Sequence, residues 1–301
     1  GVGKTTLAVH IATALARTAR ARPAKPAVVD DSSRLTYAEL DTLVDGVAGE
    51  LRRRGVGPGD VVTSQLPNCI PAAVICLAAN RIGAVHNPVV TIYRDHEVEF
   101  IRSRAGTAVW VGDTADPMFT ARAAAATAPV PKPPDGGPAA SGDVRFLLYT
   151  SGSTAEPKGV LHTDATLGAE CAAQAAFHAL DDGEVFVIPS PVGHISGLLY
   201  GILLPIWLGA TTVLLGRWDP RRFLELVERE GGTFSGGAPP FLAGVADHPD
   251  LDRFDTSTLR VFPCGGADVP PELISRATKR LSVRTGRGYG STEFPSITSS
   301  A

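Results

Sequence analysis

The sequence predicts an α/β protein in which helices are layered on largely parallel sheets, and three observations support this fold class. Short runs of β-branched residues alternate along the chain with longer segments whose apolar residues recur at helical spacing. Apolar residues make up 44% and charged residues 20% of the chain, a composition typical of globular rather than disordered or collagen-like proteins. The 301 residues suffice for one large or two moderate domains.

The first half of the chain alternates helices with strands. Residues 7–20 place Leu7, Ile11 and Leu15 on one face and predict an amphipathic helix, and residues 37–54 repeat this spacing up to Gly55. This alternation indicates parallel strands joined by helices. The next elements are predicted as a strand at 61–63, a helix at 69–81, a strand at 85–89, a helix at 96–104 and a strand at 108–111.

The second half continues this alternation after a break rich in proline and glycine. Residues 129–142 hold five prolines and three glycines without apolar periodicity, and we predict a linker there. The linker would follow an N-terminal helix within 1–17 and a first subdomain at 18–128, and would precede a second subdomain at 143–301. Strands are predicted at 144–150, 185–188, 211–215, 233–235 and 260–264, and helices at 163–180, 195–208, 220–230, 239–247 and 270–280.

Charge and cysteine content exclude several classes of protein. Lys and Arg number 28 and Asp and Glu 31, so the net charge of −3 indicates no nucleic-acid or anionic-membrane partner. The longest apolar stretch, 198–210, is interrupted by Gly201 and Pro205 and is shorter than the roughly 18 residues of a membrane span. Four scattered cysteines favour reduced thiols in a cytoplasmic protein over disulfides or a zinc site, and the first residues do not form a signal peptide. The sequence does not indicate an oligomeric state.

The most informative motif is YTSGSTAEPKG at residues 149–159, directly after an apolar strand. Small hydroxyl residues and glycine leave backbone N–H groups open to surround an anion, and Lys158 supplies a positive charge for a phosphate chain. The alternative is a plain Ser/Gly turn between a strand and a helix. The predicted phosphate-binding residues are Thr150, Ser151, Gly152, Ser153, Thr154 and Lys158.

This motif resembles the phosphate-binding signature of the adenylate-forming superfamily, which includes acyl-CoA synthetases, peptide-synthetase adenylation domains and luciferases. Ala155 stands where the family usually has glycine. Two further matches follow in the family's order, FPCGGA at 262–267 and GYGSTE at 288–293. The resemblance implies an adenine site and a Mg²⁺-binding carboxylate, although Glu293 alone could be a solvated surface acid. It assigns adenine contacts to Gly265, Gly266, Ala267, Tyr289 and Gly290, the α-phosphate region to Thr292, and Mg²⁺ to Glu293.

Residues 189–197 (PSPVGHISG) resemble the family segment that lines the acyl pocket. His194 looks like the residue that gates this pocket, and a structural histidine is the alternative. Amino-acid-activating relatives usually carry an Asp in this segment, and its absence here favours an uncharged organic acid, because a buried cationic group would lack a counter-charge. Among subfamilies, the sequence most resembles medium-chain or alicyclic acyl-CoA ligases, such as cyclohexanecarboxylate–CoA ligases.

The resemblance implies a layered α/β/α N-terminal domain and an ATP-dependent acid–CoA ligase reaction. A small-molecule carboxylic acid would attack the α-phosphorus of ATP, and coenzyme A would take the acyl group from the adenylate. Lys158, Thr292, Glu293 and His194 are the catalytic candidates. The family's small C-terminal domain would lie beyond residue 301, so we expect a truncated N-terminal domain.

Two alternative functions remain open from the sequence. Residues 1–7 (GVGKTTL) resemble the last part of a Walker phosphate loop, so a P-loop ATPase or switch using Lys4 is one alternative. The complete motif needs an earlier glycine, and a fusion or fragment boundary would also explain this start. A nucleotide-binding remnant without catalytic activity is the other alternative.

Overall fold

The computed structural model describes residues 11–119, 143–150 and 157–299. Within these ranges, the α-helices are α1 (Ile11–Ala21), α2 (Tyr37–Arg53), α3 (Ile70–Arg81), α4 (Asp95–Ala105), α5 (Asp164–His178), α6 (Ile195–Leu198), α7 (Leu204–Leu208), α8 (Pro220–Glu230), α9 (Pro239–Ala246) and α10 (Pro271–Leu281). The strands are β1 (Pro26–Val29), β2 (Arg34–Thr36), β3 (Val61–Ser64), β4 (Val85–Pro88), β5 (Thr107–Val111), β6 (Val144–Thr150), β7 (Lys158–Thr163), β8 (Val185–Ile188), β9 (Thr211–Leu214), β10 (Cys264–Gly265), β11 (Arg287–Tyr289) and β12 (Thr298–Ser299).

The described strands form three sheets. The largest has the order β5-β3-β4-β6-β7 and is parallel except for its edge strand β7, which runs antiparallel to β6. A second sheet has the order β2-β1-β9-β8, and single parallel bridges extend it through Phe234, Val261 and Arg284. The small third sheet has the order β10-β11-β12. These mixed but mostly parallel sheets confirm the predicted α/β class.

The main core lies around helix α3. Ten residues of α3 are buried, Ile70 and the nine from Ala72 to Asn80, as expected for a helix that is apolar on nearly all sides. Helix α2 packs its apolar stripe against α3, and its N-terminus is fixed by a capping box between Thr36 and Glu39. A second core, formed by helices α8, α9 and α10, supports the start of β10 through Phe262 and Cys264.

Most predicted elements are present, with bounds within two residues. Strand β7 was not predicted, because 158–163 lacks an alternating apolar pattern and pairs only through its hairpin with β6. The single predicted helix at 195–208 contains a π-helical turn, Leu199–Leu203, between α6 and α7. The predicted strands at 233–235 and 260–264 contribute bridges at Phe234 and Val261 and the short strand β10.

The two predicted subdomains share their sheets. Strand β6 from the second half joins β4 from the first, and β1 from the first half pairs with β9 from the second. The linker prediction at 129–142 falls outside the described residues. In the described part of the chain, no helix combines the length and apolar character needed to cross a bilayer.

Candidate functional site

The predicted phosphate-binding motif is the connection of a β-hairpin. Strand β6 pairs with β7 so that Thr150 lies opposite Lys158 and Tyr149 opposite Gly159. The two ends of the motif are therefore held side by side at the sheet edge, with Lys158 exposed. Residues 151–156 lie outside the described ranges, and the assignments of Ser151, Gly152, Ser153 and Thr154 to phosphate stay predictions.

The GYGSTE motif forms a tight turn after β11. The backbone N–H of Ser291 donates to the carbonyl of Phe294 at 2.9 Å, and that of Ile297 donates to Tyr289 at 2.8 Å. A Cβ at Gly290 would lie 1.9 Å from the carbonyl oxygen of Pro295, so only glycine allows this closure. The turn leaves the Tyr289 side chain 65% exposed and the Glu293 carboxylate at the surface.

One hydrogen bond links the strand that follows the first motif to the GYGSTE motif. The Nε2 atom of His162 lies 2.7 Å from the backbone carbonyl oxygen of Thr292 and donates to it. His162 is on β7, four residues after Lys158, and residues spaced by four lie on the same face of a strand. The strand that carries Lys158 is therefore linked to the turn that carries Glu293, and the charge of Lys158 contributes to the lowered pKa of Glu293.

The carboxylate of Glu293 is held in its charged form. A hydrogen bond from its own backbone N–H, another from the Ser291 side chain, and the charges of His162 and Lys158 lower its pKa. Among the described residues, no cluster of three or more His, Cys, Asp or Glu could enclose a metal ion. A single ionised carboxylate fits Mg²⁺, which typically uses one or two carboxylates together with substrate phosphates.

The glycines of the FPCGGA motif lie beside this turn. Strand β10 runs parallel to β11, with Gly265 opposite Gly288. A Cβ at Gly265 would lie 2.4 Å from the carbonyl oxygen of Gly288, so glycine permits this close approach. Gly266 and Ala267 are exposed. These three small residues, called the ledge below, lie at the end of β10 beside β11.

His194 directly precedes helix α6 as its N-cap residue and is exposed. Its Nδ1 atom accepts a hydrogen bond from the backbone N–H of Ser196 at 3.3 Å and lies 2.9 Å from the Ser196 hydroxyl. This contact is a helix cap, which is the structural role that the sequence left open. The gating role of His194 stays a prediction.

The sequence reasoning missed a polar group beneath the turn. Gln174 on α5 donates to Ser296 Oγ at 2.6 Å and to Glu170 Oε1 at 3.2 Å, and it accepts from the Tyr200 hydroxyl at 2.9 Å. The Ser296 hydroxyl also donates to Glu170. Burial raises the pKa of Glu170. The only signal in the sequence was the spacing of polar residues by four on a helix whose other buried residues are apolar.

Two cavities lie near these residues. One of about 70 Å³ lies between the end of α5 and β11, and its lining includes Phe177, His178, Pro263, Arg284, Gly288 and Ser299. A larger, open hollow of about 640 Å³ on the five-stranded sheet reaches Lys158 and Gly159 but not Tyr289 or Glu293. The smaller cavity is therefore the one that adjoins the GYGSTE turn.

Comparisons with known proteins identify a matching family model and several relatives. A model of the family described as AMP-binding enzyme matches residues 15–301. The chain is 34% identical over 288 residues to a feruloyl-CoA synthase of Amycolatopsis sp, covering 92% of this chain and 58% of that protein. It is 29% identical over 308 residues to the medium-chain fatty-acid–CoA ligase of Escherichia coli K12, covering 92% and 54%.

A solved structure is similar as well. The inhibitor-bound N-terminal domain of FACL13 from Mycobacterium tuberculosis has a TM-score of 0.83 at 25% identity, covering 94% of this chain and 76% of that one. The chain spans little more than half the length of the two curated relatives. The family model starts after Lys4 and these relatives are acyl-CoA ligases, so neither supports the P-loop ATPase alternative.

Proposed function

Because the chain belongs to the AMP-binding enzyme family, we propose that it binds ATP and an organic acid and forms the acyl-adenylate in an ATP-dependent acid–CoA ligase. The observation that carries this proposal is the hydrogen bond from His162 to the Thr292 carbonyl. It ties the Lys158 strand to the Glu293 turn at 2.7 Å. The lysine that would face the phosphates and the carboxylate that would hold Mg²⁺ are therefore on two connected segments.

The chemistry is an attack of the substrate carboxylate on the α-phosphorus of ATP, with pyrophosphate as the leaving group. Both reactants are anions, so the protein contributes mainly charge neutralisation and positioning. Lys158 would balance the phosphate charge, and Thr150 and the hydroxyls of 151–154 would donate hydrogen bonds to it. Glu293 would hold Mg²⁺, which supplies further positive charge to the phosphates when bound. The coenzyme A thiol would then attack the acyl carbonyl carbon and release AMP.

The base of the nucleotide would lie against the ledge of Gly265, Gly266 and Ala267. The exposed ring of Tyr289 offers an aromatic face for stacking on adenine. Gly290 lets the chain turn sharply after Tyr289, so that Thr292 reaches the α-phosphate region. These roles follow the family's motif and are supported by the proximity of the segments.

The acid is proposed to be an uncharged organic acid rather than an amino acid. Residues 189–197 contain no Asp for a substrate ammonium group, and two relatives act, by their names, on ferulate and on medium-chain fatty acids. All four cysteines, Cys69, Cys76, Cys171 and Cys264, are unpaired. This supports the proposal of a cytoplasmic protein.

The test is nucleotide binding by titration calorimetry with the 301-residue chain. ATP with Mg²⁺ is expected to bind at least about tenfold more weakly to Glu293→Gln, because the metal loses its carboxylate, and more weakly to Lys158→Ala with or without Mg²⁺. The exposed residues Glu99 and Lys279 provide matched controls as Glu99→Gln and Lys279→Ala.

Acid-dependent exchange of pyrophosphate into ATP is the second measurement. Exchange stimulated by an organic acid and abolished by Glu293→Ala would support the ligase chemistry. ATP binding that is unchanged in both Glu293→Gln and Lys158→Ala would contradict the proposed site. Binding without exchange for any aliphatic, alicyclic or aromatic acid would contradict adenylate formation by this chain.

A further inference from the structure

The turn that carries Glu293 is tied to the body of the protein at two points. His162 Nε2 donates to the backbone carbonyl oxygen of Thr292, the residue before Glu293, at 2.7 Å. After Glu293, the hydroxyl oxygen of Ser296 accepts from the Gln174 side chain at 2.6 Å. Both partners belong to one continuous unit, because helix α5 follows strand β7 without an intervening residue. The backbone of Glu293 is therefore held on both sides by the strand and helix that follow the phosphate motif.

His162 is the buried residue of strand β7, with 3% of its surface exposed. Its backbone is fixed by pairing with Phe146, which is fully buried on the neighbouring strand β6. An interior position of a strand is normally apolar, because a polar group loses its hydration there. A leucine would fill a similar space but would not donate to the Thr292 carbonyl. The histidine at this position therefore supplies a hydrogen bond in addition to packing.

The ring of His162 is held in one orientation. A carbonyl oxygen only accepts hydrogen bonds, so the Nε2 atom that faces Thr292 carries the hydrogen. The other ring nitrogen, Nδ1, lies 3.4 Å from the hydroxyl oxygen of Thr166. This hydroxyl oxygen also accepts from the backbone N–H of Thr163 at 3.0 Å, at the start of α5. The start of the helix, the ring and the GYGSTE turn thus form one connected series of contacts.

The turn receives little other support from the interior. Phe294 and Ile297 are 58% and 46% exposed, and none of residues 289–297 belongs to a hydrophobic core of the described chain. Hydrogen bonds within the turn, such as that from the Phe294 N–H to Ser291 Oγ at 3.2 Å, fix its shape but not its position relative to β7. Loss of the contact at Thr292 should therefore shift the turn while the cores keep their packing.

Resting on the proposed function, we propose that His162 is a positioning residue of the nucleotide site, which places the Glu293 carboxylate for Mg²⁺ through the backbone of Thr292. His162 acts through another residue and is not a metal ligand itself. Its loss should lower the contribution that Mg²⁺ makes to ATP binding. A histidine with a merely structural role would instead weaken ATP binding equally with and without the metal.

The test is titration calorimetry of ATP into the 301-residue chain, once with Mg²⁺ and once with EDTA. The dissociation constant with EDTA divided by that with Mg²⁺ is the Mg²⁺ enhancement. In His162→Leu it should fall about fivefold, the effect of roughly one hydrogen bond. His162→Gln, which keeps an N–H donor, should retain most of it. His86→Leu is the matched control, since His86 is also buried on a strand and has Ser64 as its side-chain partner at 2.9 Å.

A double variant separates positioning from a general effect. If His162 acts through Glu293, His162→Leu should cause no further loss of the Mg²⁺ enhancement in the Glu293→Gln background. Three results would overturn the proposal: losses that add in the double variant, an enhancement that His162→Leu leaves unchanged, or an equal fall in His86→Leu.

A second measurement does not depend on a histidine variant that folds. In the unaltered protein saturated with ATP, the nitrogen chemical shifts of the His162 ring should change when Mg²⁺ is added. They should not change in Glu293→Gln, which alters an exposed side chain. Shifts that ignore Mg²⁺ in the unaltered protein, or that respond equally in both proteins, would overturn the proposal. A Mg²⁺ enhancement that does not depend on Glu293 would instead refute the proposed function.

Discussion

Adding a single methyl group at Gly290 should separate nucleotide binding from folding. In Gly290→Ala the new Cβ would lie 1.9 Å from the carbonyl oxygen of Pro295. A carbon normally approaches a carbonyl oxygen to about 3.3 Å, so the turn must open by about 1.4 Å. This displacement would change the positions of Thr292 and Glu293 relative to the Lys158 strand. A misplacement of about 1 Å at a reacting centre can cost on the order of 10²-fold, and we expect MgATP affinity to fall by ten- to a hundredfold.

The assay is titration calorimetry with MgATP, accompanied by a thermal melt. The melting temperature should change little, because Phe294 and Ile297 in the turn are 58% and 46% exposed and contribute little to the core. Gly288→Ala is the matched control, since its Cβ would meet no atom closer than 3.7 Å. MgATP affinity that stays within twofold in Gly290→Ala, or that falls equally in Gly288→Ala, would refute this account of the turn.

Two further predictions concern stability. Gly168 lies in helix α5, and a Cβ added there would meet no atom within 4 Å. Gly168→Ala should therefore raise the free energy of unfolding by up to about 1 kcal/mol, measured by urea titration. A decrease in this free energy would contradict the described helix. Burial lowers the pKa of His178 to about 4 and that of His86 to about 3. Below pH 6.5 the unfolded chain therefore binds more protons than the folded protein, and the free energy of unfolding should fall from pH 6.5 towards pH 4. In His178→Phe this slope should decrease by up to about 1.4 kcal/mol per pH unit, and an equal slope in both proteins would show that His178 is not buried as described.

The sequence predicted the fold where local pattern and packing agree. Strands β6 and β8 and helix α8 have the predicted bounds, because apolar runs or amphipathic spacing fix their ends. Strand β7 could not be predicted, since its burial pattern follows no alternation and its pairing is imposed by β6. The π-helical turn Leu199–Leu203 also carries no periodic signal.

For the candidate site, motif order predicted which segments matter but not what joins them. The His162–Thr292 hydrogen bond links residues 130 positions apart and depends on the register between β6 and β7. This register cannot be predicted from a single sequence. Ser296 meets Gln174 across a similar span of 122 positions. The spacing of Glu170, Gln174 and His178 was a readable signal, because three polar residues on one buried helix face conflict with the apolar pattern. The roles of the phosphate-loop residues remain predictions.

The sharing of strands between the two halves has a consequence for synthesis on the ribosome. Strand β1 emerges from the ribosome before β9, and Thr211, which hydrogen-bonds to Pro26, lies 185 residues further along the chain. At about 5–20 residues per second, roughly 10–40 s of translation separate the two. During that interval the backbone N–H and C=O groups along one edge of Ala27, Val28 and Val29 have no β9 to pair with. The second sheet therefore cannot be completed until β9 has been synthesised, and its topology makes this pairing a late step of folding.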